Sequence, residues 1–175
     1  MGRIRAAVAR AFGQPLVIEE LELRDPGPGE VEVDIKACAI CHSDISFLDG
    51  GWGGGLPAVY GHEAAGVVSA VGPGVADLAP GDTVLVTLIH ACGHCPNCAT
   101  GRPVLCTTPT DRADGTLRTT AGEMVEKGLD CGAFAEKVVV DRSQVVAIPS
   151  DLPMDAASLL SCGVITGVGA VVNTA

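Results

Sequence analysis

The residues able to do chemistry are mostly cysteines. The chain carries eight, together with four histidines. Cys92, Cys95, Cys98 and Cys106 form the pattern C-x2-C-x2-C-x7-C. Zinc takes four ligands in a tetrahedron, with sulfur at about 2.3 Å, and closely spaced thiolates on a tight loop supply them. Gly93, Pro96 and Asn97 are residues that permit such turns. Four thiolates leave no position open to a substrate. Such an ion would be structural and would fold a lobe that has no core of its own. An iron–sulfur cluster can use similar spacing, and a disulfide pair is the other alternative. His94 sits inside the run and reads as a solvated loop residue, because four cysteines already complete a zinc shell.

Four cysteines remain: Cys38, Cys41, Cys131 and Cys162. Cys41 opens Cys41-His42-Ser43-Asp44, and Cys162 sits in Leu160-Ser161-Cys162-Gly163. Between them lies Gly61-His62-Glu63. Cys41, His62 and Cys162 would make the Cys2His set of a catalytic zinc, with the fourth position left for water or substrate. By spacing alone, two ordinary buried cysteines and a hydrogen-bonded core histidine read at least as well.

Residues so far apart need a scaffold to bring them together, and the first half reads as strands. Leu16 to Leu23 and Val31 to Ile35 nearly alternate apolar and polar residues, with a turn at Asp25-Pro26-Gly27-Pro28-Gly29-Glu30. Ala64 to Val71, Thr83 to Ile89, Phe134 to Val140 and Gln144 to Ile148 are further strands. Short strands between Gly/Pro turns predict a barrel or sandwich. Gly50 to Gly55 is a loop. The segment 89–106 forms the cysteine lobe. The polar stretch 107–130 is a long loop with a hairpin expected near Asp114-Gly115. From Pro153 onward the pattern is helical, with Asp151 as a candidate N-cap.

Composition limits the function. Eleven basic against 21 acidic residues leave a formal charge of −10, which argues against nucleic acid because phosphate binding needs a basic face. Hydrophobic residues make up 47% and charged residues 18%, which excludes general disorder. The N-terminus lacks the apolar stretch of a signal peptide. The uncharged segment 156–175 is long enough for a membrane span. Its serines, threonines, asparagine and glycines instead predict a buried helix of a soluble protein, so no membrane partner is expected. Thiolate ligands fit a reducing, cytoplasmic compartment.

Six short motifs add up to a resemblance. They are Gly29-Glu30-Val31, Cys41-His42-Ser43-Asp44, Gly61-His62-Glu63-Ala64-Ala65-Gly66-Val67-Val68, Val71-Gly72-Pro73-Gly74-Val75, Pro80-Gly81-Asp82-Thr83-Val84 and the four-cysteine lobe, followed by Gly132-Ala133-Phe134-Ala135-Glu136 and Ser161-Cys162-Gly163. In this order they resemble the zinc-dependent medium-chain alcohol dehydrogenases. The resemblance runs over essentially the whole chain and is strongest to the two-zinc branch that includes the thiol-adduct formaldehyde dehydrogenases. It implies a mostly β, GroES-like (chaperonin-10-like) barrel over 1–150, with the zinc lobe at 89–106. A terminal helix over 151–175 would lead toward a Rossmann cofactor domain absent from this sequence. Gly167-Val168-Gly169 does not supply that domain's glycine fingerprint, because Val172 stands where the third glycine belongs.

The resemblance also implies roles. Cys41, His62 and Cys162 bind a catalytic zinc, and Cys92, Cys95, Cys98 and Cys106 a structural one. Glu63 lies behind the catalytic metal. Asp44 orients His62, with an N-cap role as its plainer alternative. Zinc lowers the pKa of a bound hydroxyl by several units. Hydride can then leave an alkoxide carbon for NAD or NADP in the full-length parent, with Ser43 taking the proton. His42 contacts the cofactor's pyrophosphate. Ser46 stands where some members end the proton relay with a histidine, so the relay finishes in water. Trp52 and Thr110 occupy the places that hold a glutathione adduct's charges in that branch, so such an adduct is not supported. Leu88 matches a position lining the substrate pocket. The expected substrate is a small-molecule alcohol or aldehyde, and the full-length parent is expected to be a homo-oligomer. A non-catalytic zinc-binding module or partner subunit, keeping only the structural metal, is the alternative reading.

Overall fold

The computed structural model describes residues 1–174. Its strands are β1 (Gly2–Ala9), β2 (Val17–Leu23), β3 (Glu30–Ala39), β4 (Ala58–Val59), β5 (Glu63–Val71), β6 (Thr83–Thr87), β7 (Leu117–Thr119), β8 (Met124–Lys127), β9 (Lys137–Asp141) and β10 (Val145–Ala147). The helices are α1 (His42–Leu48), α2 (Pro96–Ala99), α3 (Met154–Ser158) and α4 (Gly163–Thr174), with short 3-10 turns between. β1, β2, β7, β8 and β4 close a barrel, and β10, β6, β5, β3 and β9 form a five-stranded sheet.

Alternation builds both cores. Along β1, Ile4, Ala6 and Val8 are buried while Arg3 and Arg5 point out, joining Leu21, Leu23, Val59, Leu117 and Val125 inside the barrel. Val31, Val33, Val68, Val84, Val86, Val138 and Val140 fill the second core. The β-branched side chains suit these pleated, buried surfaces. Antiparallel register aligns Ala39 of β3, Glu63 of β5 and Thr87 of β6 in one row at a common sheet end. That row positions the site.

The structure corrects the sequence reading at five points. β1 was not anticipated. The 107–130 segment does hold a hairpin, but β7 and β8 turn at residues 120–122 rather than at Asp114-Gly115. Asp114 instead accepts from the Thr116 amide at 2.8 Å, which spends the dipeptide on a local turn. The terminal helix is two helices meeting at 50°, with Cys162 (φ −147°, ψ −66°) at the break. Pro153, not Asp151, is the N-cap of α3. Nor is the end of the chain a buried helix: no residue of α4 is buried, and Val168, Val171 and Val172 are 57%, 67% and 73% exposed. No single helix among the described residues is long and apolar enough to cross a membrane.

One ion pair ties a turn to the sheet and gives the fold an acid-sensitive point. Glu30 accepts from the Arg24 guanidinium at 2.7 Å and from the Gly27 amide at 2.7 Å. Burial alone raises a carboxyl's pKa, but these bonds and the charges of Arg24 and Lys127 outweigh it and hold Glu30 below its ordinary 4.5. The stability it contributes is therefore present above pH 4.5 and is lost as pH falls through the lowered folded value. Glu30→Gln should flatten the acid limb of a urea-midpoint-versus-pH curve. An unchanged limb would show that other carboxyls set it.

Candidate metal centres

The lobe leaves β6 and returns before β7. It has almost nothing to pack: of its hydrophobic residues Cys95 is buried, while Val104 and Leu105 are 68% and 54% exposed. Its shape comes from turns and from sulfur. The Cys92 and Cys98 sulfurs lie 4.0 Å apart, as do those of Cys95 and Cys106. A tetrahedron of metal–sulfur bonds near 2.3 Å has edges of about 3.8 Å. All four sulfurs fall within 4.8 Å of one another, so the donor set fits a zinc ion. Amides point at the sulfurs: Cys95 N donates to Cys92 Sγ at 3.3 Å and Cys92 N to Cys106 Sγ at 3.4 Å. The Thr108 hydroxyl donates to Cys92 Sγ at 3.0 Å. The Thr108 hydroxyl and His94 amide hold the Cys92 thiol down to about 7. The Cys98 and Thr107 amides hold Cys95 to about 5. Desolvation, with the neighbouring thiols, pushes Cys98 up to about 12. His94 is exposed, its Nδ1 bonded to the Cys92 carbonyl at 2.8 Å, as a loop residue should be.

The second group gathers at the sheet end set by Ala39, Glu63 and Thr87. Cys41 follows β3 as the N-cap of α1. His62 precedes β5. Cys162 is delivered by the break between α3 and α4. One ligand atom each from Cys41, His62, Glu63 and Cys162 lies within 4.8 Å of the others. His62 and Asp44 are 1% and 0% exposed. Asp44 Oδ1 lies 3.0 Å from His62 Nδ1 and accepts from the Gly61 amide at 3.0 Å; Oδ2 accepts from the Cys41 amide at 3.0 Å. Cys41, not Asp44, is the N-cap of α1, which corrects the N-cap reading of Asp44: it stands at the third helical position, one oxygen closing a capping box on the Cys41 amide and the other against the His62 ring. Its bond to Nδ1 leaves Nε2 as the ring atom for a metal.

Local backbone supports this. Gly61 has φ +93°, and a Cβ there would meet Phe134 atoms at 2.6 and 2.7 Å, so glycine alone lets the chain pass before His62. Burial lowers the His62 pKa, but the Asp44 hydrogen bond and charge, then Cys41, outweigh it and leave it raised. Burial, then the charges of Cys41 and Glu63, push the Cys162 thiol up to about 11. Two thiols, an imidazole and a carboxylate crowded this closely suit a divalent cation, which reverses that electrostatic cost. Glu63 also accepts from the Gly163 amide at 3.4 Å, which holds the start of α4 to β5.

The other predicted positions are more scattered. Ser43 is half-buried in the first turn of α1. His42 is exposed, its Nδ1 3.3 Å from Ser46 Oγ. Trp52 is 60% exposed and packs edge-on against Phe47, with ring centroids 5.3 Å apart. Thr110 donates to Asp130 at 2.6 Å. Leu88 both packs on the core and lines a cavity of about 270 Å³ with Ile89, Val104 and Thr108. Cys131 is buried core and Cys38 packs against it, outside both groups. Sequence reasoning missed Thr87, Thr108 and Gln144, whose contacts depend on register rather than on motif.

Comparison with known proteins agrees with this arrangement. Residues 27–150 match the family model described as "Alcohol dehydrogenase GroES-like domain". The chain belongs to this family. Within it, the chain is 41% identical to an alcohol dehydrogenase class-3 of Cereibacter sphaeroides, over 99% of its own length and 48% of that protein's. It is 40% identical to an S-(hydroxymethyl)glutathione dehydrogenase of Paracoccus denitrificans, with the same coverage. Its structure superposes on an alcohol dehydrogenase zinc-binding domain protein from Burkholderia ambifaria with TM-score 0.92 and 39% identity, covering 99% of this chain and 49% of that one. The chain therefore spans about half the length of the relatives it matches. The family is the zinc-type alcohol dehydrogenases, and the GroES-like fold inferred from the motifs is the observed one.

Proposed function

We propose that this chain is the metal-holding part of a zinc-dependent, NAD(P)-dependent alcohol/aldehyde oxidoreductase. One observation carries the reading: Cys41, His62 and Cys162, with Glu63, converge from three segments while the lobe cysteines close a separate group. Cys41 and Cys162 as thiolates and His62 through Nε2 would hold the catalytic zinc, leaving room for a substrate oxygen. The bound ion supplies Lewis acidity to that oxygen. Asp44 fixes the imidazole tautomer and ring plane. Glu63 stands behind the group as a further carboxylate. Ser43 takes the substrate hydroxyl's proton and passes it outward, to water at the exposed His42–Ser46 edge. His42 meets the cofactor's phosphates. A bound NAD or NADP would supply the hydride acceptor. Trp52 and Thr110 bring no charge for a glutathione adduct, and Leu88 favours a small substrate with an apolar end. Eight free thiols suit a reducing compartment.

Elemental analysis of protein purified without added metal tests this. Two zincs per chain are expected, falling to one in Cys41→Ser/His62→Ala, with the fold retained. One zinc in the unaltered protein would favour a non-catalytic module holding only the lobe ion. Two zincs with no nicotinamide reduction by any alcohol or thiol–aldehyde adduct in the full-length protein would overturn the enzymatic reading.

A further inference from the structure

The 3-10 turn Arg142–Gln144, between β9 and β10, carries a buried polar side chain that the reading above does not use. Gln144 is 3% exposed. Its amide nitrogen donates to the Thr87 carbonyl at 3.0 Å and the Asp130 carbonyl at 3.1 Å, and lies 3.7 Å from Cys131 Sγ. Its oxygen accepts from the Asp141 amide at 3.3 Å. Each carbonyl it holds leads to one metal group. Thr87 Oγ1 donates to the Ser161 carbonyl at 3.1 Å, the peptide that carries Cys162. Asp130, held at φ +60°, accepts from Thr110 at 2.6 Å and Arg112 at 3.1 Å, which anchors the chain leaving the lobe. The adjacent Ser143 hydroxyl accepts from the Ala91 amide at 2.9 Å, just before the first lobe cysteine.

We propose that Gln144 is a positioning residue that couples the two metal groups. Through Thr87 it sets the Ser161–Cys162 peptide, and through Asp130 it ties that peptide to the lobe, so that a filled lobe raises metal affinity at Cys41, His62 and Cys162. This rests on the reading that those three residues bind metal. An amide suits the task because its two N–H groups can bridge two carbonyls at once in a buried place. Coupling between sites requires contiguous contacts biased by both, and such couplings run roughly 5–150-fold.

The test uses Co(II), whose thiolate charge-transfer absorption reports ligation, on the full-length protein. Affinity of the Cys41 group is titrated with the lobe intact and in Cys98→Ser. In the unaltered protein, affinity should fall at least fivefold when the lobe is broken. In Gln144→Met the affinity should already be low and should no longer respond to Cys98→Ser. Thr87→Val leaves Gln144 in place and removes the hydroxyl that donates to Ser161 and accepts from the Ile89 amide, so it keeps the test open if Gln144→Met does not fold; it should likewise lower affinity and shift the Co(II) band. A purely structural role would lower the melting temperature and leave affinity, band and lobe response unchanged, which overturns the proposal. Absence of any Co(II) band from the Cys41 group in the unaltered protein would instead overturn the metal-binding reading, and the proposal with it.

Discussion

Cys98→Ser protein should lose one zinc per chain, and the segment around the lobe should become its first site of proteolysis. The lobe is held by sulfur and turns, not by apolar packing: Val104 and Leu105 face solvent, and α2 is a single turn. Structural zinc contributes about 10–16 kcal/mol to the folding of small cysteine domains, because the unfolded chain offers no preformed site. Three thiolates cannot close the tetrahedron, and their mutual repulsion then works against the loop. The two β cores are built from other residues, so the barrel should persist with a modestly lower melting temperature. Elemental analysis with timed proteolysis and mass mapping reads both effects. Unchanged zinc content with an unchanged cleavage pattern would show that the lobe does not depend on an ion.

Asp44→Ala should be the most damaging change outside the ligands themselves. One fully buried carboxylate serves the Cys41 amide, the Gly61 amide and the His62 ring, each at 3.0 Å. Removing it takes the acceptor from three donors, of which the Gly61 amide and the His62 ring are buried, at about 1–3 kcal/mol for each buried one. It also frees the His62 ring to rotate and to place its proton on either nitrogen. Loss of a carboxylate that orients a histidine ligand typically lowers metal affinity about 10–100-fold. Asp44→Asn keeps an acceptor oxygen of the same shape and should fall between. Chelator competition for the second metal, beside thermal melting, separates the two effects. Full affinity in Asp44→Ala would sink the orienting role.

Much of the architecture was readable where residues act locally. The lobe cysteines lie within one short segment, so their spacing alone carries their meaning. Strands β2 and β3 announce themselves through near-alternation of apolar and polar residues, and β5 through an apolar run. β1 does not, because Ala6, Ala7 and Ala9 have low strand propensity, and only pairing with β2 and β4 buries Ala6 and Ala9. Asp114-Gly115 reads as a hairpin signal, but its aspartate closes its own turn. The break at Cys162 leaves no mark in an uncharged, helix-permissive run, since it is imposed by Thr87 and Glu63 from the sheet. Cys41, His62 and Cys162 had no meaning by spacing; they became legible through their motifs, and by geometry only once Ala39, Glu63 and Thr87 stand in one row.

The span of each ligand set also orders events during biosynthesis. The lobe ligands lie between positions 92 and 106, whereas the second set runs from 41 to 162 and ends on the break before α4. Closing the roughly eightfold longer loop costs only about 2 kcal/mol more in chain entropy. The larger constraint is sequence itself: Cys162 leaves the ribosome last, after every strand that must dock to receive it. If both groups take ions as proposed, the nascent chain can capture its first early, from a short local loop. The second must wait for a finished sheet.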